Sequence, residues 1–324
     1  MNKLSKEFTV PATALATVGE ESAGQRIDNY LMRRLKGVPK SHIYRILRSG
    51  EVRVNSGRTG PDYRLQMGDR VRVPPVRTAQ RPEGSAASRA PYTPVVIFED
   101  DALLVIDKPA GMAVHGGSGI SLGVIEGLRN ARPQARFLEL VHRLDRETSG
   151  VLMLAKKRTA LVELHRQLQA GEVEKRYYAL VNGRWTERKR IVDLALEKFV
   201  IAGGERRVNV KAGGDRAVTV FRLERRVGPY SLLDAELKTG RTHQIRVHLT
   251  HLGFPILGDD KYGDFPLNKA LAKKGLKRMF LHAHRAVIRH PLSGEKLAFE
   301  AALPPELQAF MAIAMRPEHH APKV

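Results

Sequence analysis

Between Arg77 and Pro94 the hydrophobic periodicity of the chain lapses. The stretch RTAQRPEGSAASRAPYTP is rich in Pro, Ala and Ser, and it offers neither a helix stripe nor an alternating strand. It reads as a linker, so the chain is expected to fold as two bodies. The expected division is a small module at 24–83, a linker proper at 84–94 and a larger domain at 95–316. With 324 residues and 42% apolar content there is material for roughly two domains, at least one of them with a large core.

Charge sharpens this division. The chain carries 55 Lys and Arg against 34 Asp and Glu, a formal net charge of +21. The small module holds 14 of the cations and only 5 of the acids. Charge of that density favours a polyanionic partner, and nucleic acid before an acidic membrane. The longest apolar runs, such as Val95–Phe98 and Val151–Ala155, fall far short of the ~20 residues a bilayer span needs. The first 21 residues hold no continuous apolar stretch, so neither a membrane anchor nor a secretory signal is expected. Cysteine is absent, which removes disulfides, thiolate zinc sites and cysteine nucleophiles and fits a reducing, cytoplasmic setting.

Within the small module Ile27, Tyr30, Leu31 and Leu35 recur at helical spacing, and Gly37 follows as a stop. A second short helix over about Lys40–Ser49 turns Ile43, Ile46 and Leu47 inward and sets Arg45 and Arg48 on another face. Glu51–Asn55 and Arg70–Val73 alternate polar and apolar as half-buried strands do, and Arg53 joins the basic surface. Two helices and a small sheet with an arginine-rich face suit RNA, although a solvated charged face has the same pattern.

The larger region reads as mixed strands and helices. Val95–Phe98, Leu103–Asp107, Val151–Ala155, Tyr177–Val181, Ala217–Leu223 and Ser231–Leu237 read as strands. Leu161–Leu168, about Thr242–Leu252 and Pro304–Ala314 read as helices. The order is not a clean strand–helix alternation, so an α+β fold is expected rather than a doubly wound one.

One segment concentrates chemistry. His142–Gly150, HRLDRETSG, places Asp145 between Arg143 and Arg146 just ahead of an apolar strand. A cation within hydrogen-bonding reach holds a carboxylate ionised, and an ionised carboxylate in a basic groove can act as nucleophile or base on a sugar. An ordinary ion pair in a turn would give the same spacing.

His142–Gly150 resembles the HRLD-x-x-TSG signature of RNA pseudouridine synthases of the ribosomal large-subunit type. The resemblance continues through Ile106–His115 (IDKPAGMAVH), Lys175–Leu180 (KRYYAL) and Lys238–Leu249 (KTGRTHQIRVHL), four blocks in the family's order. RIDNYL, SHIYRIL and GEVRVN in the small module resemble an S4 RNA-binding domain. The implied fold is α+β: an S4 domain of two helices and a small sheet, then a mixed, largely antiparallel-sheet catalytic domain with a cleft across its face.

The resemblance makes Asp145 the catalytic aspartate, Tyr177 the active-site tyrosine and Arg241 the basic partner of the carboxylate. Arg143, Ile245 and His142 would contact the substrate, and Arg45, Arg48 and Arg53 the RNA. Arg143 would fill the space of a flipped base, Ile245 would wall the base, and Arg241 and Ile245 would share a helix face. Tyr178, adjacent to Tyr177 on one strand, should point the other way.

The implied reaction breaks the bond from ribose C1′ to uracil N1, turns the base and joins C5 to C1′. Nothing is gained or lost, so no metal, nucleotide or redox cofactor is expected. Asp145 would act either as a nucleophile at C1′ or as a base on the 2′ proton. A bidentate arginine would align it, and Tyr177 would stack on the freed uracil or assist proton removal. The uridine must first leave its stack. The implied partner is 23S ribosomal RNA or the assembling large subunit, met by a monomer. The same chemistry on a transfer-RNA uridine, or a non-catalytic S4-type assembly factor, are the alternatives.

Other constellations are weaker. His243, His248 and His251, or His282 and His284, lack the carboxylate or HExxH context of a zinc site. Gly116–Gly119 lacks the GK[ST] ending of a phosphate loop. Trp185 is expected to pack.

Overall fold

The computed structural model describes residues 13–35, 37–76, 92–116, 123–201 and 204–316. The chain divides into two compact units, Met1–Ala90 and Pro91–Val324. The expected linker at 84–94 and the glycines of Gly116–Gly119 after the first fall largely outside the described residues.

The first unit contains β1 (Ala14–Thr17), α1 (Ile27–Arg34), α2 (Lys40–Arg48), β2 (Arg53–Val54), β3 (Gly57–Arg58) and β4 (Arg70–Val73). Its sheet runs β1-β4-β2-β3, so a strand ahead of Gly24 completes it. Ile27, Leu31, Ile43, Ile46, Val52, Leu65 and Val71 form the core, the inward faces set by the helical and alternating patterns. Asp69 ties the turn before β4, accepting from Gln66 N–H at 2.7 Å, Asn55 Nδ2 at 2.8 Å and Tyr63 Oη at 3.0 Å.

The second unit begins with β5 (Val95–Glu99), β6 (Leu103–Lys108), α3 (Val124–Ala131), β7 (Glu139–Leu140) and β8 (Ser149–Ala155). It continues through α4 (Arg158–Gln169), β9 (Glu174–Val181), β10 (Lys189–Asp193), β11 (Leu196–Val200) and β12 (Arg206–Val210). It ends with β13 (Val218–Val227), β14 (Tyr230–Leu237), α5 (Gln244–His251), α6 (Phe265–Lys273), β15 (Leu281–Arg289), β16 (Lys296–Glu300) and α7 (Pro305–Ala314). The main sheet has strand order β10-β13-β14-β9-β15-β8-β6-β5, with β16 on β15 and β7 on β8. Among the described residues only β8 and β15 pair in parallel, so the sheet is mixed and largely antiparallel, an α+β arrangement.

Helices cover both faces of this sheet, and two apolar clusters result. The larger joins Leu152, Leu154, Leu180, Trp185, Phe221, Leu249 and Phe280. Trp185 packs there against Phe221 and Phe254, at centroid distances of 5.8 and 4.9 Å. The smaller lies behind β8, around Met153, Ala155, Leu164 and Ile288. β8 is buried along its whole length, which is why its sequence reads as a continuous apolar run. β11 and β12 form a separate hairpin. Among the described residues, no helix is long and apolar enough to cross a membrane.

Candidate active site

Asp145 lies in the loop that feeds β8. Leu144 before it is buried in the core, and Thr148 N–H donates back to Asp145 O at 3.1 Å to close the turn. Lys108, fully buried at the end of β6, clamps the loop from behind. Its Nζ donates to Pro109 O and Met112 O at 2.7 Å each and to Arg146 O at 3.1 Å. Burial, with the Arg278 charge, pulls the Lys108 pKa down to about 7, yet three carbonyl acceptors match the three N–H groups of an ammonium. Gly150 follows with φ +109°, where a Cβ would collide with the Ala283 carbonyl of β15, so only glycine fits the TSG turn.

This loop forms one wall of a cleft of about 430 Å³. Its lining includes His142, Arg143, Asp145, Tyr177, Arg241 and Ile245, so one cavity gathers every residue expected to act on the substrate. Lys175 and His243 line it as well.

The guanidinium that reaches Asp145 belongs to Arg246, which corrects the expected pairing with Arg241. Arg246 Nη1 donates to Asp145 Oδ2 at 3.2 Å. Arg241 is exposed at the cleft rim and its Nε donates to Arg216 O at 3.1 Å. The reason is local. α5 starts at Gln244, not at Thr242, because His243 takes a left-handed conformation with φ 54°. Arg241 therefore precedes the helix and shares no helical face with Ile245, although both line the cleft.

Gln244 fixes this turn from within. Its buried Oε1 accepts from Thr239 Oγ1 at 2.8 Å and Arg241 N–H at 2.9 Å, while its Nε2 donates to Val218 O at 3.0 Å and Thr219 Oγ1 at 2.9 Å. Arg246 is held as firmly. Its Nε and Nη2 form a bidentate pair with Asp259, 2.7 Å on each arm, and it stacks 5.1 Å from the Tyr262 ring centroid. Burial works against the Asp259 charge, but hydrogen bonds from Arg246 bring its carboxyl below the ordinary value. The one arm left over, Nη1, points at Asp145.

Tyr177 projects from β9 into the cleft and is 6% exposed. Burial, reinforced by the Asp145 charge, pushes its phenol well above the ordinary value, so it stands neutral at neutral pH. Tyr178 faces the other way and stacks on His284 with centroids 3.8 Å apart. His142 Nε2 accepts Met153 N–H at 3.2 Å. Burial, with the Lys175 charge, lowers its pKa to about 3, so it serves as a neutral acceptor that ties the loop to β8. Arg143 is exposed, and its side chain has no hydrogen-bond or ion-pair partner among the described residues. Arg146, the other sequence neighbour of Asp145, turns away to Glu147 at 2.9 Å.

Two of the other histidines have hydrogen-bond partners of their own. His248 lies 3.0 Å from Thr219 Oγ1 and 3.3 Å from Leu194 O, and His282 lies 2.9 Å from Ser149 Oγ and 3.1 Å from Ala301 O.

In the first unit, Arg45 and Arg48 are exposed on α2. Arg53 of β2 sits between Arg58 of β3 and Arg72 of β4 in the sheet register. Like charges directly opposite one another are unfavourable in a sheet, so this row is built at a cost that a polyanion would relieve.

Sequence reasoning missed Arg246, Asp259, Gln244 and Lys108. The acidic pair Asp259-Asp260 was the available cue, since a buried arginine needs carboxylates.

A cleft holding an arginine-held aspartate beside a buried tyrosine, in a chain that also has an arginine-rich unit, suits an enzyme acting on RNA. Residues 102–251 match the RNA pseudouridylate synthase family model, and residues 25–71 match the S4 domain model. The chain belongs to the RNA pseudouridine synthase family and carries an S4 RNA-binding domain. It is 49% identical over 315 residues to Ribosomal large subunit pseudouridine synthase C of Haemophilus influenzae, covering 96% of this chain and 98% of that one. It is 50% identical over 299 residues to the protein of that name from Escherichia coli, covering 90% and 94%. Among solved structures, Human RNA Pseudouridylate Synthase Domain Containing 4 aligns with a TM-score of 0.56 at 25% identity, covering 68% of this chain and 92% of that one.

Proposed function

We propose that this enzyme isomerises specific uridines of large-subunit, 23S ribosomal RNA, with Asp145 as the reacting carboxylate. The observation that carries the reading is the cleft itself. Asp145, Tyr177 and Ile245 line one cavity, and Arg246 presents its free arm to the carboxylate. Substrate class rests on relatives that are about half identical over most of both chains and bear the large-subunit name.

A uridine leaving its stack would enter between Tyr177 and Ile245, with Asp145 against the ribose. Arg246 neutralises the carboxylate and fixes its orientation, in place of Arg241. Tyr177, protonated and buried, is suited to stacking on the base and to donating a hydrogen bond; its raised pKa opposes a role as proton acceptor. Arg143, exposed at the mouth, is free to enter the stack the base vacates, and Arg241 at the rim is placed for phosphate. His142 shapes the wall through β8. Arg45, Arg48 and Arg53 would dock the RNA, with 24–83 as the RNA-binding part, 84–94 as the linker and 95–316 as the catalytic part. A monomer is the form this reading expects. The cytoplasm, where ribosomal RNA is assembled, is the corresponding compartment.

The test is a pseudouridine map of total RNA from a strain lacking the gene. Loss of defined 23S sites is expected. Loss confined to a transfer RNA, or no loss, would overturn the substrate assignment.

A further inference from the structure

His243 lines the cleft and lies beside Asp145, and the resemblance assigns it no role. Its backbone is left-handed, φ 54° and ψ 20°, a conformation uncommon outside glycine and enriched among Asn, Asp and His. Its side chain is held as well as its backbone. Tyr262 Oη lies 2.8 Å from His243 Nδ1, and the two rings meet edge to face with centroids 5.5 Å apart.

Tyr262 also favours one tautomer. Its Oη accepts the Val208 N–H at 2.9 Å. The phenol's own proton then has His243 Nδ1 as its acceptor, so the ring hydrogen of the neutral imidazole sits on Nε2. Nε2 faces Asp145 Oδ2 across 3.8 Å. That oxygen already accepts from Arg246 Nη1, whereas Asp145 Oδ1 has no hydrogen-bond partner among the described residues.

We propose that His243 is a positioning residue of the isomerisation, donating Nε2–H to Asp145 Oδ2 so that Oδ1 is the oxygen left to react with the ribose. The proposal rests on the reading of Asp145 as the reacting carboxylate. The present gap is longer than a hydrogen bond, and catalytic hydrogen bonds commonly tighten once substrate fills a site. Burial favours the neutral ring, and Asp145 opposes it. The other charged groups around the ring are Arg246, Lys261 and Asp259, so the neutral donor tautomer adds direction at Oδ2 without adding charge. Through Tyr262 and Val208 the same contact joins the β11–β12 hairpin to the reacting carboxylate.

The experiment compares His243→Asn, His243→Gln, Tyr262→Phe and Asp145→Asn in the full chain, on transcribed 23S RNA. Single-turnover rate and RNA dissociation constant are measured for each. Asparagine suits the left-handed backbone but is too short to carry an N–H to Asp145, so its rate should fall about tenfold with the dissociation constant unchanged. Glutamine can place an amide N–H near the Nε2 position and should recover to within about threefold of wild type. Tyr262→Phe, which frees the tautomer, should fall between them.

A wild-type rate in His243→Asn or in Tyr262→Phe would overturn the proposal, as would an equal loss in the asparagine and glutamine variants. Asp145→Asn separates the two readings. Its inactivity beside a fully active His243→Asn removes only the positioning role, while turnover in Asp145→Asn removes the carboxylate assignment itself.

Discussion

Arg246 Nη1 stands 3.2 Å from Asp145 Oδ2, joining residues 101 positions apart in the chain. Arg246 is 4% exposed and its other two donor arms are committed to Asp259, so Asp145 receives the single direction that remains. A carboxylate aligned in this way is ordered before substrate arrives, and that order is worth rate.

Lysine at this position would keep the charge and lose the fork. It cannot pair with Asp259 on two arms and still reach Asp145. Arg246→Lys should therefore lower the single-turnover rate by about 10- to 100-fold, the equivalent of one charged hydrogen bond. Arg241→Lys, altered at the rim, should weaken RNA binding more than it slows turnover. If the two variants exchange these behaviours, the pairing drawn from the structure is wrong.

Asp259 acts through Arg246. Replacing it with alanine leaves a buried guanidinium with one bidentate partner removed, a loss that costs about 3–5 kcal/mol in comparable buried pairs. Asp259→Ala should lower the thermal midpoint of the catalytic unit and the rate together. Asp260, which reaches Arg246 at 3.2 Å but is 64% exposed, should tolerate alanine with little change in either. Melting curves and single-turnover assays on both variants check the contrast.

His282 links pH to stability. Its Nε2 lies 3.1 Å from Ala301 O, and its Nδ1 faces Ser149 Oγ, which already accepts from Arg278 Nη2 at 2.7 Å. Burial lowers its pKa to about 4 in the folded state against 6.5 as the ordinary value. A depressed histidine gives stability that is complete above its unfolded pKa and lost as pH falls toward the folded one. Urea midpoints of the catalytic unit should fall between pH 6.5 and pH 4, and a His282→Asn variant should show a shallower fall over that window. Parallel slopes for the two proteins would show that other groups govern the acid limb.

The readable parts of the sequence were those set by periodicity and by contiguous motifs. β6, β8, β9 and β14 were expected from apolar runs, because a strand buried on one or both faces needs them. Tyr177 and Tyr178 were separated correctly because a strand alternates its faces regardless of context. β15 was not legible, since LHAHRAVIR interleaves histidine and arginine that find partners only after folding, His284 with Asp234 and His282 with Ser149. The partner of Asp145 was misread for a similar reason. Helical spacing was carried back through His243, and a left-handed residue there shifts the start of the helix by two positions. Such a residue is held by Tyr262, 19 positions later, and nothing local in the sequence announces it.

The arginine row of the first unit permits a test in which stability and binding move in opposite directions. Arg53 faces Arg58 and Arg72 across the ladder, and among the described residues its Nη1 has only the Ser56 carbonyl, at 3.1 Å, as a hydrogen-bond acceptor. Removing its charge relieves repulsion in the free protein, so Arg53→Gln should leave the melting temperature unchanged or slightly raised. If Arg53 meets a phosphate in the complex, as proposed, the same change removes that contact. The slope of log affinity against log salt should then become shallower by about 1, with weaker binding at low salt. A variant that melts lower while keeping the wild-type salt slope would mean that Arg53 supports the fold, and that the row does not lie on the RNA.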